Sequence, residues 1–185
     1  SLLGWLTILD QHDVDEKILD QIKRDIKRLE TISARFSKIG SLPNKKEVKL
    51  SAVADDLVSY MQIRMPKEVA LHIHKNGDEK QVEVNSELIA WVLENLIKNS
   101  IDAIRGKGTI TIDMSWESTA IVTVQDTGSG MSKKLQKTIF NPGITTKKRG
   151  WGLGLSLAKR IVEQYHGGKL RLAESSEKGS TFEIQ

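Results

Sequence analysis

The chain contains no cysteine, which excludes a disulfide framework and any thiolate metal site. No apolar run approaches the about 18 residues that a membrane-spanning helix requires. The opening Ser1-Leu2-Leu3-Gly4-Trp5 lacks the basic lead of a signal peptide and resembles the middle of a helix, as if the chain began abruptly within a longer one. Aromatic residues are scarce at 5%, and the mild net charge of +4 (28 basic against 24 acidic residues) forms no stripe of Lys and Arg interleaved with aromatics. Nucleic acid is therefore not an expected partner. Two familiar nucleotide fingerprints are also missing. No G-x-x-x-x-G-K-[ST] phosphate loop occurs, and the one glycine-rich run is spaced G-x-G-x-G after a loop, not G-x-G-x-x-G after a strand.

What remains is an ordinary globular composition, 38% hydrophobic and 28% charged, at a length that suits one compact domain with an appendage. Its central stretch is Gly150-Trp151-Gly152-Leu153-Gly154-Leu155, followed by a helix whose Leu153, Leu157, Ala158, Ile161, Val162 and Tyr165 fall on one face. Alternating glycines before a helix let the backbone approach a ligand and leave the first N–H groups free for an anion. Thr145, Thr146, Lys147, Lys148 and Arg149 just upstream add hydroxyls and positive charge. A phosphate chain suits such a loop, although on these residues alone a tight turn would serve as well.

From the start of the chain, residues 2–11 read as a short apolar helix end, and Asp13 as a cap for a helix over residues 14–38. The spacing of Ile18, Ile22, Ile26, Leu29, Ile32, Phe36 and Ile39 averages close to 3.5, a seam for other helices. It fits half of a hairpin that dimerises into a four-helix bundle, or an amphipathic helix lying on the next domain. Gly40, Ser41, Leu42 and Pro43 break it and mark a boundary between residues 1–42 and 43–185. Beyond lie a strand over 47–50, a helix from a Ser51 cap to Arg64, a strand over 69–74, an Asn76-Gly77 turn and a strand over 81–84. His72 and His74 share a strand face without a third ligand and are expected at the surface.

A helix over residues 86–105 buries Ile89, Val92, Leu93, Leu96, Ile97, Ile101 and Ile104. Asn95, Asn99 and Asp102 recur on one side of it at i, i+4 and i+7. Asparagine is a poor helix-interior residue, so two one turn apart point to work such as joining waters and phosphate oxygens around Mg²⁺; plain exposed polar residues are the alternative. Strands over 109–115 and 120–125 lead into Asp126-Thr127-Gly128-Ser129-Gly130-Met131. There a carboxylate at a strand end can accept from an exocyclic amino group such as that of adenine, and Gly128 and Gly130 permit close approach. Strands over 169–173 and 181–184, around a turn at Gly179, close the chain.

In this order the blocks resemble the catalytic half of sensor histidine kinases in the GHKL ATP-binding superfamily. Asn95–Ala103 resembles the N box, Asp126–Gly130 the G1 box, Phe140-Asn141-Pro142 the F box, Thr145-Thr146-Lys147 the lid, and Gly150–Leu155 the G2 box. Gly179-Ser180-Thr181-Phe182 is similar to the family's last turn. The match covers about residues 45–185, while residues 1–39 look like the end of the first and all of the second helix of a dimerisation and phosphoacceptor hairpin.

The resemblance implies an α+β fold, a two-layer α/β sandwich of the Bergerat type preceded by that hairpin. It implies ATP and Mg²⁺ as cofactors, with Asn99 ligating the metal, Asn95 and Asp102 beside the phosphates, and Asp126 on the adenine amino group. Gly128 and Gly130 would shape the adenine pocket. Thr145, Thr146, Gly150, Gly152, Leu153, Gly154, Leu155 and Thr181 would complete the nucleotide site, with Lys147 or Arg149 neutralising the transferring phosphoryl. Partners by the same resemblance are ATP or ADP, a response-regulator receiver domain and a second copy through helices 1–39, in the cytoplasmic part of a membrane-bound sensor. The family's acceptor histidine would precede residue 1, and none of the four histidines replaces it, so autophosphorylation by this chain alone is not expected. Alternatives are a GHKL hydrolase and a non-catalytic nucleotide-sensing module. In the former, the hydrolytic glutamate would fall at Asn95, and Glu94 is about 100° around the helix.

Overall fold

The computed structural model describes residues 44–147 and 150–185, together with Ile26. The helices expected over residues 2–38, the boundary at 40–43, Lys148 and Arg149 lie outside the described residues. From Asn44 to Gln185 the chain is one compact unit. Its elements in order are β1 (Lys46–Val48), α1 (Leu50–Gln62), β2 (Val69–Asn76), β3 (Val82–Val84), α2 (Ser86–Ala103), β4 (Gly108–Trp116) and β5 (Ala120–Asp126). There follow α3 (Lys133–Gln136), α4 (Gly154–Arg160) with a wider π-turn over Ile161–Tyr165, β6 (Leu170–Ser176) and β7 (Gly179–Ile184).

Five strands form a mixed sheet in the order β2-β4-β5-β7-β6, parallel only between β2 and β4. β1 and β3 pair separately. Period-two alternation puts Ile110, Ile112, Met114 and Trp116 of β4 and Val122 and Val124 of β5 on one buried face. The same alternation buries Asp126, the next inward position of β5. Against this face packs α2, which also contacts α1 and α4. Val92, Leu93, Leu96 and Ile97 of α2 are essentially inaccessible. Each such side chain stabilises the fold by about 1.5–3 kcal/mol. The outcome is the two-layer sandwich expected.

Several local expectations change. Ser51 does not cap α1, which begins one residue earlier after Lys49. Instead the Ser51 N–H and hydroxyl both donate to the Glu79 carboxylate, at 2.8 and 2.6 Å, so a residue 28 positions away supplies the capping oxygens. Ile101 is only half-buried, and Ser100 occupies the fully buried position beside it. The helix expected over residues 153–165 is α-helical only to Arg160. Beyond that point the Ile161 carbonyl accepts from His166 Nδ1 at 2.8 Å, and the Val162 carbonyl accepts from the Gly168 N–H. His72 and His74 are exposed.

Candidate functional site

The site is organised along α2. Its first turn is fixed by Asn85, whose side-chain oxygen accepts from the Leu88 N–H at 3.0 Å. The Asn85 N–H in turn donates to His166 Nε2 at 3.0 Å, which ties the start of α2 to the turn after α4. That arrangement fixes His166 as the Nδ1–H tautomer. Burial holds its pKa below the ordinary value, only partly offset by the bond to the Ile161 carbonyl, and Lys45 adds to the lowering. At the far end, the Ala103 carbonyl accepts from the Ser129 N–H at 3.0 Å, so the loop after β5 closes α2.

That loop presents Asp126, which is 4% exposed. One carboxylate oxygen accepts from the Gly128 N–H at 2.8 Å and the Ser180 N–H at 3.3 Å, and the other from the Ser100 hydroxyl at 3.3 Å. Burial raises the carboxyl pKa above the usual carboxylate range, and these three bonds oppose the rise. The second oxygen carries one bond, leaving acceptor capacity for an incoming amino group. Gly128 is required by packing, since a Cβ there would meet Ala103 Cβ at 2.7 Å. Gly130 has φ +61°, and its Cβ would run into the Ser176 carbonyl.

The lid stands over the other end. Its base is closed by a bond from the Gly143 N–H to the Gly152 carbonyl at 3.1 Å. Thr145 Oγ1 accepts from the Lys147 N–H at 3.1 Å. Lys147 Nζ donates to Asn99 Oδ1 at 2.8 Å and pairs with Asp102 Oδ2. Gly154, the first residue of α4, lies against the Asn95 amide, where no Cβ would fit. Asn95 Nδ2 is buried without a hydrogen-bond partner among the described residues, a donor available to a phosphate oxygen.

The residues expected from sequence thus meet on one helix: Asn95 under Gly154, Asn99 and Asp102 under Lys147, and Ser100 and Ala103 against the Asp126–Gly130 loop. Thr146 and Gly150 lie in the same lid and turn, Leu153 occupies the N-cap position of α4, and Leu155 lies in its first turn. Thr181 does not join them. Asp126 is directly opposite Ser180 in the β5–β7 register, so the pleat turns Thr181 to the other face with Gln125. Arg149 falls outside the described residues. Ser100 and Ser180 escaped the sequence argument, although a serine within the apolar stripe of α2 was a visible signal for the first. The oxygens of Asn99 and Asp102 converge on one ammonium, a donor set that also suits a hard cation such as Mg²⁺.

Residues 84–185 match the family described as histidine kinase-, DNA gyrase B-, and HSP90-like ATPase. Over 166 residues the chain is 31% identical to the sensor histidine kinase ZraS of Salmonella typhi, a match covering 85% of this chain and 36% of that protein. It is 27% identical to the signal transduction histidine-protein kinase AtoS of Escherichia coli K12, covering 100% of this chain and 31% of AtoS. The chain therefore spans about a third of the length of these curated relatives. The catalytic domain of histidine kinase ThkA is similar in structure, with a TM-score of 0.69 at 30% identity over 76% of this chain and 93% of that one. ThkA in complex with the response regulator protein TrrA gives a TM-score of 0.72 at 26% identity, over 99% of this chain and 55% of that one.

Proposed function

The chain belongs to the histidine kinase-, DNA gyrase B- and HSP90-like ATPase family and carries the ATP-binding catalytic domain of sensor histidine kinases, and from that premise we propose that it binds MgATP along α2 and passes the γ-phosphoryl to a histidine. An aspartate of a response-regulator receiver is the next acceptor. The observation that carries the proposal is the convergence of three separate segments, the Asp126–Gly130 loop, the Lys147 lid and the Gly154 turn, on the Asn95–Ala103 stretch of α2. Asp126 accepts from the adenine amino group, backed by Ser100, Gly128 and Ser180. Gly152 and Gly154 bring backbone N–H groups to the phosphates, and the unpaired Asn95 amide donates to a phosphate oxygen. Asn99 is the metal ligand; Mg²⁺, when bound, supplies charge neutralisation at the phosphates. Lys147 neutralises the charge that develops on the transferring phosphoryl, with Arg149 as its companion from the same loop.

A hydrolase of the same superfamily needs a base aimed at water. Glu94 is instead paired with Lys98 along the outside of α2 at 2.5 Å, which favours phosphotransfer. The acceptor histidine, the dimer formed through helices 1–39 and a place in the cytoplasmic part of a sensor complete the proposal for the intact protein. Among the described residues no helix is long and apolar enough to cross a membrane.

The test mixes this chain with a nucleotide-dead version extended upstream to carry the proposed acceptor histidine, and supplies γ-labelled ATP. Acid-labile label on the longer chain is the expected result. If neither this mixture nor an extended, nucleotide-competent chain becomes labelled, histidine phosphotransfer is contradicted and a sensing module remains.

A further inference from the structure

Among the described residues of the lid, Lys147 reaches the floor of the site, and its partners there are two oxygens of α2. The ammonium lies between Asn99 Oδ1, at 2.8 Å, and Asp102 Oδ2. The two oxygens come from one turn of α2, on the side where Asn95 offers its unpaired amide. An amide oxygen and a carboxylate oxygen satisfy an ammonium in the way they satisfy a hard divalent cation, and the two positive charges cannot share the same pair of oxygens.

We propose that Asp102 is a positioning residue for the lid: together with Asn99 it parks the Lys147 ammonium on the cation subsite of the nucleotide-free domain, so that loading a phosphate-bound cation and releasing the lid lysine are one exchange. The proposal rests on the assignment of this face of α2 to the cation and phosphates. The strength of the contact fits an exchange. The Lys147 and Asp102 side chains are 42% and 52% exposed, so the pair is solvent-screened and weak. Released, the same ammonium is free to turn to the γ-phosphate. A positive charge stays beside Asp102 through the exchange, because one cation replaces another.

Two measurements on the full chain test this. Calorimetry with ADP in Mg²⁺ removes the γ-phosphate contact from consideration, and Lys147→Met is expected to tighten ADP binding about two- to fivefold, the scale of an exposed ion pair. NMR relaxation of the Lys147 and Gly150 amides reads lid order directly without nucleotide. Asp102→Asn should lower their order parameters in the unsubstituted background and leave them unchanged once Lys147→Met is present, a non-additivity that a purely structural role of Asp102 does not produce. Additive effects, or lid order and ADP affinity that ignore both substitutions while ADP still binds, overturn this inference and leave the nucleotide assignment standing. Absence of ADP binding overturns both.

Discussion

Asp126 and Lys147 stand at opposite ends of the site and are held in opposite ways. Asp126 is 4% exposed and takes hydrogen bonds from a helix, a strand and its own loop. Lys147 is 42% exposed and is held through its side chain by one face of one helix. The buried carboxylate is fixed before any ligand arrives, by donors that also stabilise the fold. The lysine rests on a weak contact that a ligand can replace. In the proposed assignment the base-recognition end gains from preorganisation, because a buried acceptor already held in place discriminates strongly between donors and non-donors. The proposed phosphate end gains from release, because charge must move to where it develops.

The largest expected effect attacks the preorganised end. Gly130→Ala combines a positive φ with a clash against the Ser176 carbonyl, and should cost about 3 kcal/mol or more of stability in denaturant unfolding. A near-neutral result would show that the loop yields and is not fixed. Next, Asp126→Asn keeps the acceptor for the Gly128 and Ser180 N–H groups but turns a donor towards the adenine amino group. ATP affinity should fall by about 1.5–3 kcal/mol in calorimetry, while unfolding stability stays close to that of the parent. At the other end, Asn99→Ala should remove the Mg²⁺-dependent part of nucleotide affinity, on the order of tenfold; unchanged Mg²⁺ dependence would remove Asn99 as ligand.

The smallest effect concerns the scaffold behind both ends. His166 is held neutral, accepting from Asn85 and donating to Ile161, with its folded pKa lowered by burial. The unfolded chain therefore binds the proton more tightly, and stability is lost as pH falls below the ordinary value of 6.5 towards the folded pKa. His166→Gln should flatten that acid limb of the stability profile, read as the pH dependence of denaturant unfolding. An unaltered profile would mean that the link between α4 and α2 is not set by this imidazole.

Local periodicity carried much of this arrangement into the sequence. The i, i+4, i+7 spacing of Asn95, Asn99 and Asp102 was enough to place them on one face, and the alternating run over residues 120–125 put Asp126 at a strand end. The partners of Asp126 were not legible in the same way. Ser180 is 54 residues away and reaches it through strand register, which no short window contains. The same register excludes Thr181, although the two are adjacent in sequence. Glu79 capping α1 across 28 residues, and the π-turn fixed by His166, likewise depend on tertiary contacts. The lid hydrogen bond joins Lys147 to Asn99 across 48 positions, so each residue was visible and their meeting was not.

The most direct test of a preformed adenine acceptor is a calorimetric titration of the unsubstituted chain with ATP and with GTP, both in Mg²⁺. GTP presents a carbonyl where ATP presents an amino group, and a buried carboxylate held by three donors should reject it. ATP is expected to bind at least about tenfold more tightly, a difference of about 1.4 kcal/mol. Equal affinities would contradict the assignment of Asp126 and with it the built-in end of the site.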